Sequence, residues 1–258
     1  MLNTILALSV FIGLFILLFV SVILGRRFGK WQIRHDASHK LRVVNVAEGA
    51  LFALLGLLVA FTFTGAYERF EARKVHIVEE ANAIDTAYLR IKLLAPATQS
   101  NLRESFRQYL DSRLGDPEKL LNSKSAEDEI PVITQLRAKI WDQAVSACNI
   151  TGSSAVTELF ITAVNNMFDI ANTRFSIAKI HPPVVIFFLL IGLAVLSSFL
   201  AGYSTAKSKV SHSIHTLSYV AITAFTLYII IDLEFPRLGM IRVDRFDQIL
   251  IEVKDVMN

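Results

Sequence analysis

A single cysteine, Cys148, stands in the chain. That excludes an internal disulfide and any cysteine-based metal centre. Charge is absent from Leu2 to Gly25 and again from Pro182 to Ala206. Each gap exceeds the roughly 18 apolar residues that mark a membrane-spanning helix, which excludes a soluble enzyme. Short alternating strand patterns are missing too, which excludes an outer-membrane barrel. No Gly-rich phosphate loop, HExxH pair or nucleophile motif occurs, and no Ser, His and Asp fall in a catalytic arrangement. No enzyme is therefore expected, and no cofactor. The net charge of +3 points to no nucleic acid, because the excess lies in a loop placed to face anionic lipid.

What is present is hydrophobicity in blocks. Hydrophobic residues make up 53% of the 258, and mean hydropathy is +0.48. Four spans result: Leu2 to Leu24, about Val46 to Ala66, Pro182 to Tyr203, and about Ile214 to Ile231. The first is too long for a signal-peptide core, and its basic residues follow it, so it reads as a retained anchor. The domains expected are 1–66 (spans one and two with a basic loop), 67–181 (a polar domain), 182–231 (spans three and four) and 232–258 (a tail).

Lys and Arg near the span ends are equally numerous on the two faces. Two features break the tie. Span one has no charge before it and Arg26, Arg27, Lys30, Arg34, Lys40 and Arg42 after it, and the first helix usually dominates. The two inner loops are also short and nearly free of acids. The expected localisation is the bacterial inner (plasma) membrane, multi-pass, with both termini and the central domain on the non-cytoplasmic side.

Stepping alternately by four and three from Gly49 gives Ala53, Gly56, Ala60, Phe63, Tyr67, Phe70, Lys74, Ile77, Ala81, Ile84, Tyr88 and Ile91. Only Lys74 breaks the apolar or small pattern. A sustained alternation of this kind marks a coiled-coil-like packing seam. Its residues are small inside the bilayer, where helices associate by close backbone approach, and larger outside, where water drives burial. One helix is expected from span two to about Leu94, stopped by Pro96. Its extra 28 or so residues would project roughly 40 Å beyond the membrane.

The same alternation returns in Val156, Phe160, Ala163, Met167, Ile170, Arg174 and Ile177, capped by Ser153 or Ser154. Leu102, Phe106, Leu110 and Leu114 mark a further helix, and Ile133, Ile140, Ala144 and Ala147 another, with Ser123 to Asp128 as the most linker-like stretch. The fold class expected is all-α: four transmembrane helices, with an extramembrane helical bundle between spans two and three that the span-two helix enters. The tail from Asp244 to Met257 is amphipathic, and its acidic polar face favours packing on the bundle over lying on lipid.

Glu48-Gly49 through Phe61-Thr62-Phe63, Arg69-Phe70, Arg73, Glu80-Ala81-Asn82-Ala83-Ile84 and Thr86-Ala87-Tyr88-Leu89-Arg90 form one block. Asp232-Leu233-Glu234, Pro236-Arg237 and Gly239-Met240-Ile241 form a second. Together they resemble a family of bacterial membrane proteins called bestrophin-like, formally a domain of unknown function. Asp85 stands where a small residue is expected. The family name implies a remote likeness to bestrophin anion channels, with four spans, a large domain between spans two and three, and a pore lined by aromatic residues of span two. Bestrophins proper differ in a long C-terminal region with an acidic calcium clasp and in a cytosolic domain.

The candidate pore or gating residues are Glu48, Leu55, Thr62 and Arg69, which recur every seven residues off the seam, and Phe63 on it. Their alternative is contact with span three or four, with Thr62 bonded to its own backbone. Core packing also suits Phe52, Phe61, Phe63 and Phe70. Arg73, Arg90, Asp232, Glu234 and Arg237 are candidates for structural ion pairs, with Asp232 expected to bond Arg69 or Arg73 across the helices. Glu79, Glu80, Asn82, Asp85 and Arg90 form a polar cluster for which ion pairs within a bundle are the ordinary explanation. His35 with His39, and His212 with His215, have metal-binding spacing but no further ligand beyond Asp36, so no metal is expected. The expected partners are the lipid bilayer, further copies of the chain in a homo-oligomer, and a small ion. The leading expectation is an ion channel or pore. The alternative is a non-conducting structural or sensory membrane protein whose outer bundle binds a partner or ligand.

Overall fold

The structure, a computed structural model, describes residues 2–35, 44–114, 123–207, 213–236 and 239–257. All the described elements are helical: α1 (Leu2–His35), α2 (Val44–Arg90), a 3-10 turn (Ile91–Leu93), α3 (Pro96–Arg113), α4 (Ser123–Thr151), α5 (Ser154–Lys179), α6 (Val184–Ser204), a second 3-10 turn (Thr205–Lys207), α7 (Ser213–Glu234) and α8 (Asp244–Met257). Four stretches of helix are long and apolar enough to cross a membrane, and they hold α1, the first part of α2, α6 and α7. The chain forms two compact units, residues 1–70 with 181–242 and residues 71–180 with 243–258.

In the first unit α1 lies along α6 and also touches α7. The reason is backbone proximity. A Cβ added to Gly25 would run into the Phe199 carbonyl, and one added to Gly202 would run into the Val22 carbonyl. Small residues let membrane helices approach this closely. Ser21 fastens the crossing by donating its hydroxyl to the Val195 carbonyl at 2.8 Å. Gly202 of span three thus packs on span one. Phe11 sits edge-on to Phe225 and Tyr228, both at 6.2 Å, which seats span one on span four. The basic residues expected in the first loop fall partly on α1 itself, which carries Arg26, Arg27, Lys30 and Arg34 before it ends at His35.

The second unit is built on the seam read from the sequence. Ile77, Ala81, Ile84, Tyr88 and Ile91 are buried, as are Leu102, Phe106 and Leu110 of α3, Ile140, Ala144 and Ala147 of α4, and Phe160, Ala163 and Met167 of α5. α2 ends at Arg90 and tightens into one 3-10 turn. Ala95 is extended, with φ −54° and ψ 133°, as a residue before proline prefers, and Pro96 opens α3 where its missing N–H costs nothing. Gly152 turns α4 into α5 with φ +69°, a left-handed conformation that glycine adopts without strain. Ser153 then caps α5 by accepting from the Val156 N–H at 3.4 Å.

Two expectations change here. Ser123 to Asp128 is not a linker, because α4 begins at Ser123 and runs through Pro131. Its Lys, Ala and Glu residues are good helix formers, and they offset the single backbone bond that proline removes. The segment 232–258 is also not one tail. Residues up to 242 stay with the first unit, and α8 joins the second. There Tyr88 and Arg107 donate to the Met257 carbonyl at 2.9 Å, and Lys254 pairs with Asp111 at 2.6 Å. The bundle thus gains a fifth helix.

Candidate functional site

Within the first unit, the two sides of α2 have different fates. Leu55, Ala66 and Phe70 are buried. Phe52 meets Tyr219 of α7 edge-on at 5.7 Å. Thr62 bonds the Leu58 and Val59 carbonyls at 2.8 and 3.1 Å, which satisfies its hydroxyl locally. Glu48 is half-buried one turn before Phe52. The stripe of Leu55, Thr62 and Arg69 therefore turns toward this chain's own helices. The adjoining side, about 100° round the helix, carries Phe63 and Tyr67, both exposed. Gly49 and Gly56 lie there too, and a Cβ on either would meet nothing within 4 Å. Only 6% of the most apolar 18 residues of this helix are buried, against 28% for each of the other three.

Where α2 leaves that stretch, Arg69 reaches α7. Its Nε lies 2.9 and 3.2 Å from the two Glu234 oxygens, and a second nitrogen lies 2.8 Å from Oε2. His181 adds its Nδ1 to the same carboxylate at 3.0 Å and stacks on Phe235 at 4.8 Å. The Glu234 side chain is fully buried. A carboxylate taken out of water in this way is tolerable only with a fixed counter-charge, which Arg69 supplies in forked geometry.

Asp232, expected to pair with Arg69 or Arg73, does something else. It accepts from the backbone N–H groups of Met240 at 3.1 Å and Ile241 at 2.9 Å, and from the Tyr228 hydroxyl at 3.1 Å. Two residues along an α-helix is a rotation of about 200°, so Asp232 and Glu234 face opposite ways and only one can meet Arg69. Gly239 makes the carboxylate's contact with the chain reversal possible, because a Cβ there would coincide with an Asp232 oxygen. The Asp-Leu-Glu and Gly-Met-Ile motifs are thus two halves of one clasp.

The other candidate ion-pair residues separate. In the second unit Arg73 is buried and donates to the Ile180 carbonyl at 3.1 Å. Arg90 donates to the Leu159 carbonyl. Arg237 lies outside the described residues, as do Asp36, His39 and His212. His35 bonds the Trp31 carbonyl at 2.9 Å on its own helix.

The polar cluster on the extended helix divides at Glu80. Glu79 and Asn82 are exposed, and Glu79 lies 2.7 Å from His76. Glu80 is fully buried and is clamped by Arg113 at 2.6 Å and by Arg174, which also holds Asp247 at 3.0 Å. Burial alone would raise the Glu80 carboxyl, but the two guanidiniums outweigh it and hold it below the usual carboxylate range. Burial pushes the neighbouring Tyr109 phenol up to about 12. Arg113, Arg174 and Asp247 were missed as a site. The signal was present in Arg174, an arginine at a position where the α5 seam calls for an apolar residue.

The Bestrophin-like domain family matches residues 12–246. A crystal structure of a bacterial bestrophin homolog from Klebsiella pneumoniae, carrying a tyrosine-to-alanine mutation, is 12% identical with a TM-score of 0.66, over 96% of this chain and 97% of that one. Another mutant of a bestrophin homolog from the same organism is 13% identical with a TM-score of 0.64, over 97% of this chain and 98% of that one. A crystal structure described as a membrane protein is 12% identical with a TM-score of 0.63, over 97% of both chains. At such identities the likeness is one of fold. No curated protein matches the sequence.

Proposed function

We propose, on the footing that the chain belongs to the bestrophin-like family, that it is a homo-oligomeric ion channel whose conducting path is lined by the exposed side of α2. The observation that carries this reading is the low burial of that helix, 6% against 28% for its neighbours. Phe63 and Tyr67, with the open small-residue line of Gly49 and Gly56, are then the pore and subunit-contact residues. Leu55, which is buried, and Arg69, through Glu234, hold the helix to its own chain. Aromatic rings at a constriction can gate by dewetting, which is the role assigned to Phe63. Purified protein in planar bilayers should carry current. Silence across varied salts, pH and calcium counts against a channel.

One observation favours the second reading, a non-conducting protein whose bundle binds a ligand. A groove of about 560 Å³ in the second unit is lined by the polar residues Glu79, Asn82, Thr86, Arg90, Thr162 and Asn166 together with Ala83, Ala163 and Ile170. Orientation is a separate part of the proposal. The basic residues after span one support a topology with both termini and the bundle on the non-cytoplasmic side of the inner membrane. A reporter fused after Asn258 should read non-cytoplasmic. A cytoplasmic signal would invert the topology and leave the channel reading intact.

A further inference from the structure

Asn82, Thr86 and Arg90 belong to the first motif block, and the proposed pore uses none of them. All three line the groove of the second unit. Spaced by four, they stand one above another on one side of α2. Thr162 and Asn166, also four apart, line it from α5. Ala83 and Ala163 lie between these walls and are almost wholly buried, so their small side chains leave the groove its depth.

The two ends of the groove carry opposite charge. Arg90, the last residue of α2, donates to the Leu159 carbonyl of α5. That bond holds the guanidinium in place with one of its five N–H donors, and the side chain stays partly exposed. Glu79 lies three turns earlier on the same side of α2, with its side chain 47% exposed and 2.7 Å from His76. Eleven residues of helix separate the two by about 16 Å. Between them Asn82, Thr86, Thr162 and Asn166 are all exposed. Each can both donate and accept, which is what a peptide group requires, with one N–H and one C=O per residue. A fixed guanidinium suits a carboxylate, and a carboxylate suits an ammonium. A single amino acid carries its two charges on one carbon, too close together to reach both ends. Three or four extended residues span about 10–13 Å, which brings each terminus within reach of the side chain at its end. An uncharged sugar would satisfy the middle of the groove and neither end.

We propose that this groove binds short free peptides, with the terminal carboxylate on Arg90, the terminal ammonium at Glu79 and the peptide groups on the Asn and Thr side chains between. Its volume of about 560 Å³ falls in the range of small-ligand sites. The proposal rests on the ligand-binding reading of the bundle and names its ligand class; it holds whether or not the spans conduct.

Isothermal titration calorimetry of the full chain in detergent tests this, with tetra-alanine as the probe. Tetra-alanine should bind. Its C-terminal amide and its N-acetyl form should each bind at least about tenfold more weakly, because each blocks one charged end. Alanine itself should bind more weakly still. Arg90→Gln should lower the affinity for tetra-alanine to that of the amide and leave the amide's own affinity unchanged. The blocked peptides need no variant, so damage to the fold cannot produce their part of the pattern. Absence of tetra-alanine binding, or equal binding of the blocked forms, overturns the proposal. If tetra-alanine is silent while succinate binds in an Arg90-dependent manner, or putrescine in a Glu79-dependent manner, the peptide class falls and the ligand-binding reading stands. If none of the three binds, that reading falls as well.

Discussion

Arg69 and Glu234 are two side chains from distant parts of the sequence, and between them they tie α2 to α7. Glu234 is wholly buried, while Arg69 keeps part of its surface open, so loss of the arginine strips a buried carboxylate of its forked counter-charge. Arg69→Ala and Glu234→Gln should each lower stability in detergent, and the double variant should lose less than their sum, with a coupling of about 1–3 kcal/mol. Arg69→Ala with Asp232→Asn should instead be additive, because Asp232 serves the Met240 and Ile241 backbone. Chemical denaturation of the three single and two double variants measures both. Coupling to Asp232 rather than Glu234 would reverse the assignment. Glu80 gives a pH dependence of known sign. Its folded carboxyl titrates below the ordinary value of 4.5, so its contribution is present above that pH and is lost as pH falls through the folded value. The gap in melting temperature between wild type and Glu80→Gln should be widest at neutral pH and close below about pH 4.5. A gap that widens in acid contradicts this. The residue-level partners were the least legible part of the sequence. Choosing between Asp232 and Glu234 depends on helix phase and on a chain reversal at Gly239, and spacing reveals neither.

At the scale of elements, α2 was the most legible. Its four-three alternation predicted one helix through two environments, and the structure has it unbroken from Val44 to Arg90. What the alternation does not reveal is what covers the seam. From Ile77 onward other helices of the second unit cover it. From Gly49 to Tyr67 it lies on the side turned away from the chain's own spans. The close helix crossing that small residues predict occurs elsewhere, between Gly25 of α1 and Gly202 of α6. The reason is physical: a glycine permits close approach but does not select the partner. Paired substitutions separate these roles. Gly25→Leu collides with the Phe199 carbonyl and should abolish recovery of folded protein. Gly56→Leu meets nothing within its own chain and should leave the fold intact while shifting the detergent-solubilised mass toward monomer. A folded, monomeric wild type would remove the oligomer from the account. An oligomer unchanged by Gly56→Leu would remove this face from the contact.

For the whole molecule, the division into two units with α2 common to both gives the proposed channel its logic. The first unit presents an apolar, aromatic side of α2 that its own helices leave open, and the second anchors the rest of that helix in a core built around Glu80. The four-span architecture was legible because charge-free runs of this length have one ordinary meaning. Activity was not, because residues that line a path and residues that pack a core share the same apolar chemistry. The lone cysteine, Cys148, makes a direct test possible. In a Cys148→Ala background, Phe63→Cys and Thr62→Cys place a thiol on the open side of α2 and on the side facing its own chain. Current through single channels in a planar bilayer, recorded before and after a charged thiol reagent is added, measures which side meets the ions. The account predicts a large, prompt change for Phe63→Cys and little for Thr62→Cys. Current that responds at Thr62→Cys and not at Phe63→Cys would contradict it.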